Sequence, residues 1–459
     1  MSKNFQVNGM TASVEKIEKL WQREAEAYAA RTPKSAVLAK EAASHWLKGV
    51  PLHWMSDWEL PHALFLKEAK GARLKDADGN LYTDFCLGDT GAMFGHGPEP
   101  AVKAVAGQMA RGATAMLPSE LALEVGRLLS DYFGLDQWQV TASASDANRA
   151  IIRWARGVTG RSRILIFDGS YHGAVDDVFV RIGAGGRTEL RPGLVGQVAD
   201  ITATTAVVPF NDREAVKAEL AKGDIALVLT EPLLTNIGMV PSDPGFMAFL
   251  AEAAREAGAF FALDETHTLS SGRGGWGRAH GLRPDFLVVG KPIGGGVPAA
   301  VYGFTAEIGA RIAAFNETRA PGHSGIGTTL SGSALQLAAI RAMLAEVMTE
   351  AAYAHMEQLA ARLEAGLTWV FKEKDVSWHV LRAGARAEIG FTPAPVRSGA
   401  ASAERMNHPL ERALHLYLLN RGLMLTPFHN MMLISPETRE EDIDRLTEAV
   451  SAFLTELFE

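Results

Sequence analysis

Polar and apolar positions change rhythm along this chain, and the changes mark out its elements. Residues 12–31 place Val14, Ile17, Leu20 and Trp21 at helical spacing among charges, which predicts an amphipathic helix. Residues 32–72 keep no such period. Pro51 and Pro61, Trp46, Trp54 and Trp58, and three histidines punctuate them, and they read as irregular. The charged stretch Lys75-Asp76-Ala77-Asp78-Gly79-Asn80 lies between two strand-like runs and predicts a hairpin.

The middle of the chain alternates differently. Short apolar runs recur at Trp138–Thr141, Ile164–Phe167, Thr205–Phe210, Ile225–Thr230, Phe260–Leu263, Phe286–Val289 and Ala299–Phe304. Many are continuously apolar, as strands covered on both faces are. Helical patterns at Ala147–Gly157, Arg213–Lys222 and Phe246–Ala257 fill several gaps, and Gly258 reads as a stop after the last. Strand–helix–strand alternation predicts a mostly parallel sheet layered with helices, an α/β domain whose ligands gather outside the carboxyl ends of the strands. The Gly-rich stretch Arg181 to Gly196 reads as an exposed loop between sheet strands. From about Gly332 the rhythm becomes long helices, Ala334–Met348 and Glu350–Lys372, then a few strands and a closing amphipathic helix near Glu441–Phe458. That is a smaller α+β domain. The expected organisation is 1–72 as an N-terminal segment joining the small domain and the active site, 73–331 as the large domain and 332–459 as the small one.

Composition narrows the classes. The 459 residues, 47% hydrophobic and 21% charged, are a globular chain with enough length for two or three domains. The lone cysteine, Cys86, excludes an intrachain disulfide and multi-cysteine metal sites. Charges of 45 basic against 53 acidic leave −8 without a basic block, so nucleic acid is not an expected partner. Met1 to Met10 lacks the pattern of a secretion signal, and no window approaches about 18 unbroken apolar residues. No membrane partner and a cytoplasmic location are therefore expected.

Four strand ends carry polar residues that a core would not choose. After Val140 comes Thr141-Ala142-Ser143-Ala144-Ser145-Asp146-Ala147-Asn148, then a helix. Small residues at such a turn can present N–H groups to a phosphate, although taken alone the segment reads first as an ordinary N-cap. After Phe167 comes a turn holding Tyr171-His172-Gly173. After Leu263 comes Asp264-Glu265-Thr266-His267, which also resembles a Walker B strand. That alternative requires a Walker A loop; Gly290-Lys291 is followed by Pro292, and position 285 is Asp, so it fails. After Val289, Lys291 stands among glycines at the end of an apolar strand. Such a lysine is either snorkelling or poised to form a Schiff base. Asp264 and Lys291 end neighbouring runs. A carboxylate and an imine-forming amine near a phosphate cradle fit pyridoxal phosphate. No His-Glu-x-x-His helix, Gly-x-Ser-x-Gly elbow or Gly-x-Gly-x-x-Gly turn offers a metal or another chemistry.

On these motifs the chain resembles the class III aminotransferases of the fold-type I pyridoxal phosphate enzymes, in the branch of glutamate-1-semialdehyde aminomutase and the β-amino acid aminotransferases. The resemblance runs from about residue 40 to the C-terminus. It implies a large domain with a seven-stranded, mostly parallel sheet, a small α+β domain, and pyridoxal 5′-phosphate joined to Lys291 as an imine. It implies cofactor contacts from Ser143, Ala144 and Ser145 to the phosphate, Tyr171 stacked on the ring beside His172, and Asp264 on the ring nitrogen. Glu231 and Thr266 would lie close by, and Thr329 would reach the phosphate of a partner subunit in a homodimer with shared active sites. The implied activity moves an amino group from an amine or amino acid to a 2-oxo acid or other carbonyl, with Lys291 and Asp264 catalytic. The alternative is an aminomutase or racemase of the same fold. Two departures stand out. Ala144 replaces the family's glycine and Thr266 an apolar residue. Moreover, residues 32–72 hold no arginine to clamp a substrate carboxylate, and Thr426-Pro427-Phe428-His429-Asn430 stands where a second arginine is usual. His53, Trp54, Trp58, His267, Phe428 and His429 are the expected substrate-pocket residues, with core packing the competing role for the tryptophans.

Overall fold

Seven of the apolar runs become one sheet in the computed structural model, which describes residues 5–7, 10–427 and 429–458. In chain order the strands are β1 Gln137–Thr141, β2 Arg163–Phe167, β3 Thr205–Val208, β4 Ile225–Thr230, β5 Phe260–Asp264, β6 Phe286–Val289 and β7 Ala300–Phe304. They lie in the order β3-β2-β4-β5-β6-β7-β1. The pairings from β3 across to β6 are parallel, and β7 alone runs against its neighbours β6 and β1. Strands β3 to β7 are buried at every residue, because helices cover both faces, and this is why their sequences are apolar without alternation. Edge strand β1 alternates instead. Core residues such as Ile166, Leu227 and Leu229 are fully buried, and truncating one to alanine costs about 2–5 kcal/mol.

The described residues divide into two compact units. One comprises 98–350 with 396–404 and carries the sheet; the other comprises 1–97, 351–395 and 405–459. This differs from the expected division at 72 and 331. Strands Arg73–Asp76 and Leu81–Asp84 form the expected antiparallel hairpin, but Leu81–Asp84 also pairs with Leu423–Met424, which ties 73–97 to the unit of the termini. Helix Ala334–Ala342 instead packs on helices Glu99–Met109 and Leu121–Phe133, which keeps 332–350 with the large sheet.

The unit of the termini holds helix Val14–Arg31, which packs along His408–Asn420, and an antiparallel sheet of His379–Ala383, Arg386–Gly390 and Met431–Leu433. Two expectations are corrected. Residues 32–72 are not irregular throughout: Pro33 opens a helix to Ala42, since proline lacks only the N–H that a first turn leaves unbonded. The Gly-rich stretch from Arg181 is not simply a loop; Val180–Ile182 and Thr188–Leu190 pair as a hairpin whose turn contains Gly185 and Gly186. Among the described residues, no helix is long and apolar enough to cross a membrane.

Candidate active site

Apart from Thr329, the polar residues singled out in the large unit follow carboxyl ends of strands: Ser143–Ser145 after β1, Tyr171 and His172 after β2, Glu231 after β4, Asp264–His267 after β5 and Lys291 after β6. In parallel α/β sheets that edge is where ligands bind.

Asp264 ends β5 opposite Val288 of β6 and is 4% exposed. Its Oδ2 accepts from Asn148 Nδ2 at 2.8 Å and lies 3.1 Å from His172 Nδ1, while Oδ1 accepts from the Thr266 N–H at 3.1 Å. A carboxylate only accepts, so His172 carries its proton on Nδ1. Burial works against the charge of Asp264, but the hydrogen bond and charge of His172, with the bonds from Thr266 and Asn148, outweigh it and hold the carboxyl below its ordinary range. The group stays ionised where neutral pH chemistry needs an anion. Asn148 closed the polar segment read after β1, but nothing in the sequence assigned it a role of its own. Its signal was a polar residue on the buried stripe of helix Ala144–Thr159, next to Ala147 and Ile151.

A second chain of contacts begins at Lys291. Its Nζ stands 2.5 Å from His267 Nε2; His267 Nδ1 is 3.0 Å from Thr235 Oγ1, which donates to Glu231 Oε2 at 2.5 Å. Glu231 Oε1 accepts the Tyr171 N–H at 3.1 Å. Burial pushes the Glu231 carboxyl up against the opposing pull of His172, Thr235 and Tyr171. Lys291 itself stands at φ 49, in the left-handed region.

The turn after β1 is capped within itself: Ser143 Oγ accepts from the Asp146 N–H at 3.2 Å and donates to Asp146 Oδ2 at 2.9 Å. The N-cap alternative for this segment is realised, and the open groups of the turn are backbone N–H donors at the start of a 16-residue helix. Ser145 Oγ accepts from the Ala174 N–H at 2.9 Å. Gly173 permits that approach, since a Cβ there would stand 2.2 Å from Ser145 Oγ. Gly290 also packs tightly on Ala144; a Cβ at 290 would lie 2.8 Å from the Ala144 methyl. The alanine that departs from the family pattern is thus seated on the glycine preceding Lys291.

These residues fit pyridoxal phosphate. Helix N–H groups suit a phosphate and an ionised buried carboxylate suits a protonated ring nitrogen. Buried His172 Nε2 and Thr266 Oγ1 have no hydrogen-bond partner among the described residues.

The remaining candidates are dispersed. Tyr171 is 43% exposed, and Thr329 is exposed on the irregular segment before helix Ala334–Ala342. In the unit of the termini, Trp58 packs against a core with Tyr28, Leu416 and Leu419, whereas His53 and Trp54 are exposed. His429 is buried with Nδ1 3.1 Å from Glu388 Oε1. Burial lowers its pKa and the Glu388 carboxylate more than restores it. Phe428 lies outside the described residues. That unit also hides an arginine the sequence reading passed over, Arg386, fully buried with a bond to Thr90.

Comparison with known proteins places this geometry among relatives. The class-III aminotransferase family model matches residues 54–454. A glutamate-1-semialdehyde 2,1-aminomutase of Sorangium cellulosum is 36% identical over 388 residues, 83% of this chain and 87% of the relative. The crystal structure of a glutamate-1-semialdehyde-aminomutase from Pseudomonas aeruginosa PAO1 superposes with a TM-score of 0.95 at 48% identity, covering 97% of this chain and 99% of the other. A β-phenylalanine aminotransferase from Variovorax paradoxus superposes at 0.83 with 27% identity, covering 96% and 97%.

Proposed function

This chain belongs to the class-III aminotransferases, and from that premise we propose that it is an aminomutase, moving an amino group between adjacent carbons of one small molecule. The observation that carries the proposal is the 48% identity to a glutamate-1-semialdehyde-aminomutase along 97% of the chain. Its cofactor is pyridoxal 5′-phosphate. When bound, the cofactor supplies an aldehyde for capturing amines and a ring that accepts the electrons of a carbon losing its proton.

The chain's own residues divide the remaining work. In this reading Asp264, held ionised by His172 and Asn148, keeps a proton on the ring nitrogen. Lys291 Nζ takes a proton from the substrate carbon and returns it to another atom. The N–H groups at the start of helix Ala144–Thr159 hold the phosphate, with Ser143, Ala144 and Ser145 around it. Tyr171 covers the ring, with Thr266 and Glu231 nearby. Thr329 completes the phosphate site of a second subunit, so the working form is a homodimer, in the cytoplasm.

A second reading, transfer of the amino group to a separate 2-oxo acid or other carbonyl, is favoured by the likeness to the β-phenylalanine aminotransferase. The two differ in what they require. Incubated with glutamate-1-semialdehyde and no other carbonyl compound, an aminomutase forms 5-amino-4-oxopentanoate catalytically. If instead no 5-amino-4-oxopentanoate forms and the amino group appears as alanine or glutamate only when pyruvate or 2-oxoglutarate is added, the aminotransferase reading replaces the first.

A further inference from the structure

The contacts around Lys291 determine where a histidine keeps its proton. Glu231, Thr235 and His267 are each at most 5% exposed, so their hydrogen bonds form without competing water. Glu231 Oε1 is engaged by the Tyr171 N–H, and Oε2 faces Thr235 Oγ1 at 2.5 Å. The Thr235 hydroxyl donates to Glu231 Oε2, so its hydrogen points to Glu231 and its lone pairs face the imidazole. The ring nitrogen meeting those lone pairs, Nδ1 at 3.0 Å, then carries the proton. Nε2 is left as an acceptor, 2.5 Å from Lys291 Nζ.

We propose that His267 is a positioning residue for Lys291: turned by Thr235 and Glu231 into its Nδ1–H form, it accepts a hydrogen from Nζ and so fixes the direction of the amine's lone pair. The inference rests on the reading of Lys291 as the amine that captures the cofactor. The amine at the end of a lysine side chain turns about several single bonds, and bimolecular capture is slowed by every wrong rotamer. The arrangement parallels a base oriented by a buried acid, with Thr235 inserted between the acid and the ring.

Two measurements test it. In the full-length protein loaded with pyridoxamine phosphate, where Lys291 is not joined to the cofactor, nitrogen NMR of labelled histidine reports the tautomer, with the His267 signal assigned by its loss in His267→Gln. The expected result is one Nδ1–H form in the wild type and in Thr235→Ser, and a mixture or the Nε2–H form in Thr235→Val. A wild-type Nε2–H form, or no change in Thr235→Val, overturns the proposal. The second measurement is the first-order rate at which cofactor-free protein captures saturating pyridoxal phosphate, followed by visible absorbance. His267→Leu should be about ten- to a hundredfold slower, the scale of a misplaced reacting group. His267→Gln, whose amide oxygen can still accept from Nζ, should stay within about fivefold of the wild type by the same reasoning. Wild-type speed in His267→Leu rejects the role. Borohydride reduction with peptide mapping separates the two failures. A pyridoxyl adduct on another lysine removes the reading of Lys291, whereas an adduct on Lys291 with unchanged tautomers removes only the role of His267.

Discussion

Asn148 donates its side-chain amide to Oδ2 of Asp264 at 2.8 Å, from a helix face that is otherwise apolar. A fully buried amide in that position needs a partner, and Asp264 supplies it.

Changing Asp264→Asn should leave the fold intact and lower turnover by orders of magnitude, roughly 2–5 kcal/mol of transition-state stabilisation. Asn148→Ala should act in the same direction more weakly, about 1–3 kcal/mol, by stripping one of the bonds that favour the ionised carboxylate. Single-turnover rates with glutamate-1-semialdehyde check both. Wild-type turnover in Asp264→Asn would mean that another group holds the ring proton.

Stability should respond to pH through Glu265, which accepts from the Trp276 and Gly277 N–H groups and from Thr268. Burial, partly offset by Thr268, Gly277 and Trp276, pushes its carboxyl up to about 7 from an ordinary 4.5. A raised folded-state value means that this contribution is complete below about 4.5 and is lost as pH rises through about 7, a change of roughly 3 kcal/mol. Melting temperatures measured from pH 4 to 8 should fall less steeply in Glu265→Gln than in the wild type. Parallel curves would show that Glu265 does not titrate in this range.

The dimer proposal is tested by geometry. Chains carrying Lys291→Ala and chains carrying Thr329→Ala are each expected to be nearly inactive. If Thr329 serves the partner's site, a mixed dimer concentrates both defects in one site and leaves the other whole. About half of the activity of those hybrid dimers should then return. No recovery on mixing would place Thr329 in its own subunit's site.

Recognition of a substrate carboxylate should be weak. Residues 32–72 hold no arginine, and Arg191 is tied to the carbonyls of Val180 and Ser170. Forgoing a charge-assisted pair gives up roughly 1.5–3 kcal/mol, a factor of about ten to a hundred and fifty. We expect kcat/KM for glutamate-1-semialdehyde to exceed that for 2-aminobutanal, which has hydrogen in place of the carboxyl group, by less than about a hundredfold, the scale of that missing pair. A larger preference would send the search to the remaining arginines.

Legibility followed burial. Strands β3 to β7 could be read because cover on both faces leaves nothing polar in them, and Asp264 and Lys291 stood out because each interrupts such a run at its end. Helix Pro33–Ala42 was hidden inside a longer segment that Pro51, Pro61 and three tryptophans marked as irregular, and the hairpin at Val180–Leu190 by its glycines. Thr235 gave no signal, because it meets His267 only after the chain folds back through the bridge between Leu234 and Val240. The small side chains that set the spacing between Ala144 and Gly290 are likewise visible only once β1 and β6 lie on either side of β7. Packing across the sheet, unlike burial within a strand, has no period in the sequence.

The left-handed backbone of Lys291 sets durability against chemistry at one position. A residue with a Cβ gives up about 1–2 kcal/mol there, and glycine, which would relieve it, has no amine. A search for sturdier variants that ignores activity would therefore favour discarding this lysine, whose replacement by glycine removes both the strain and the function.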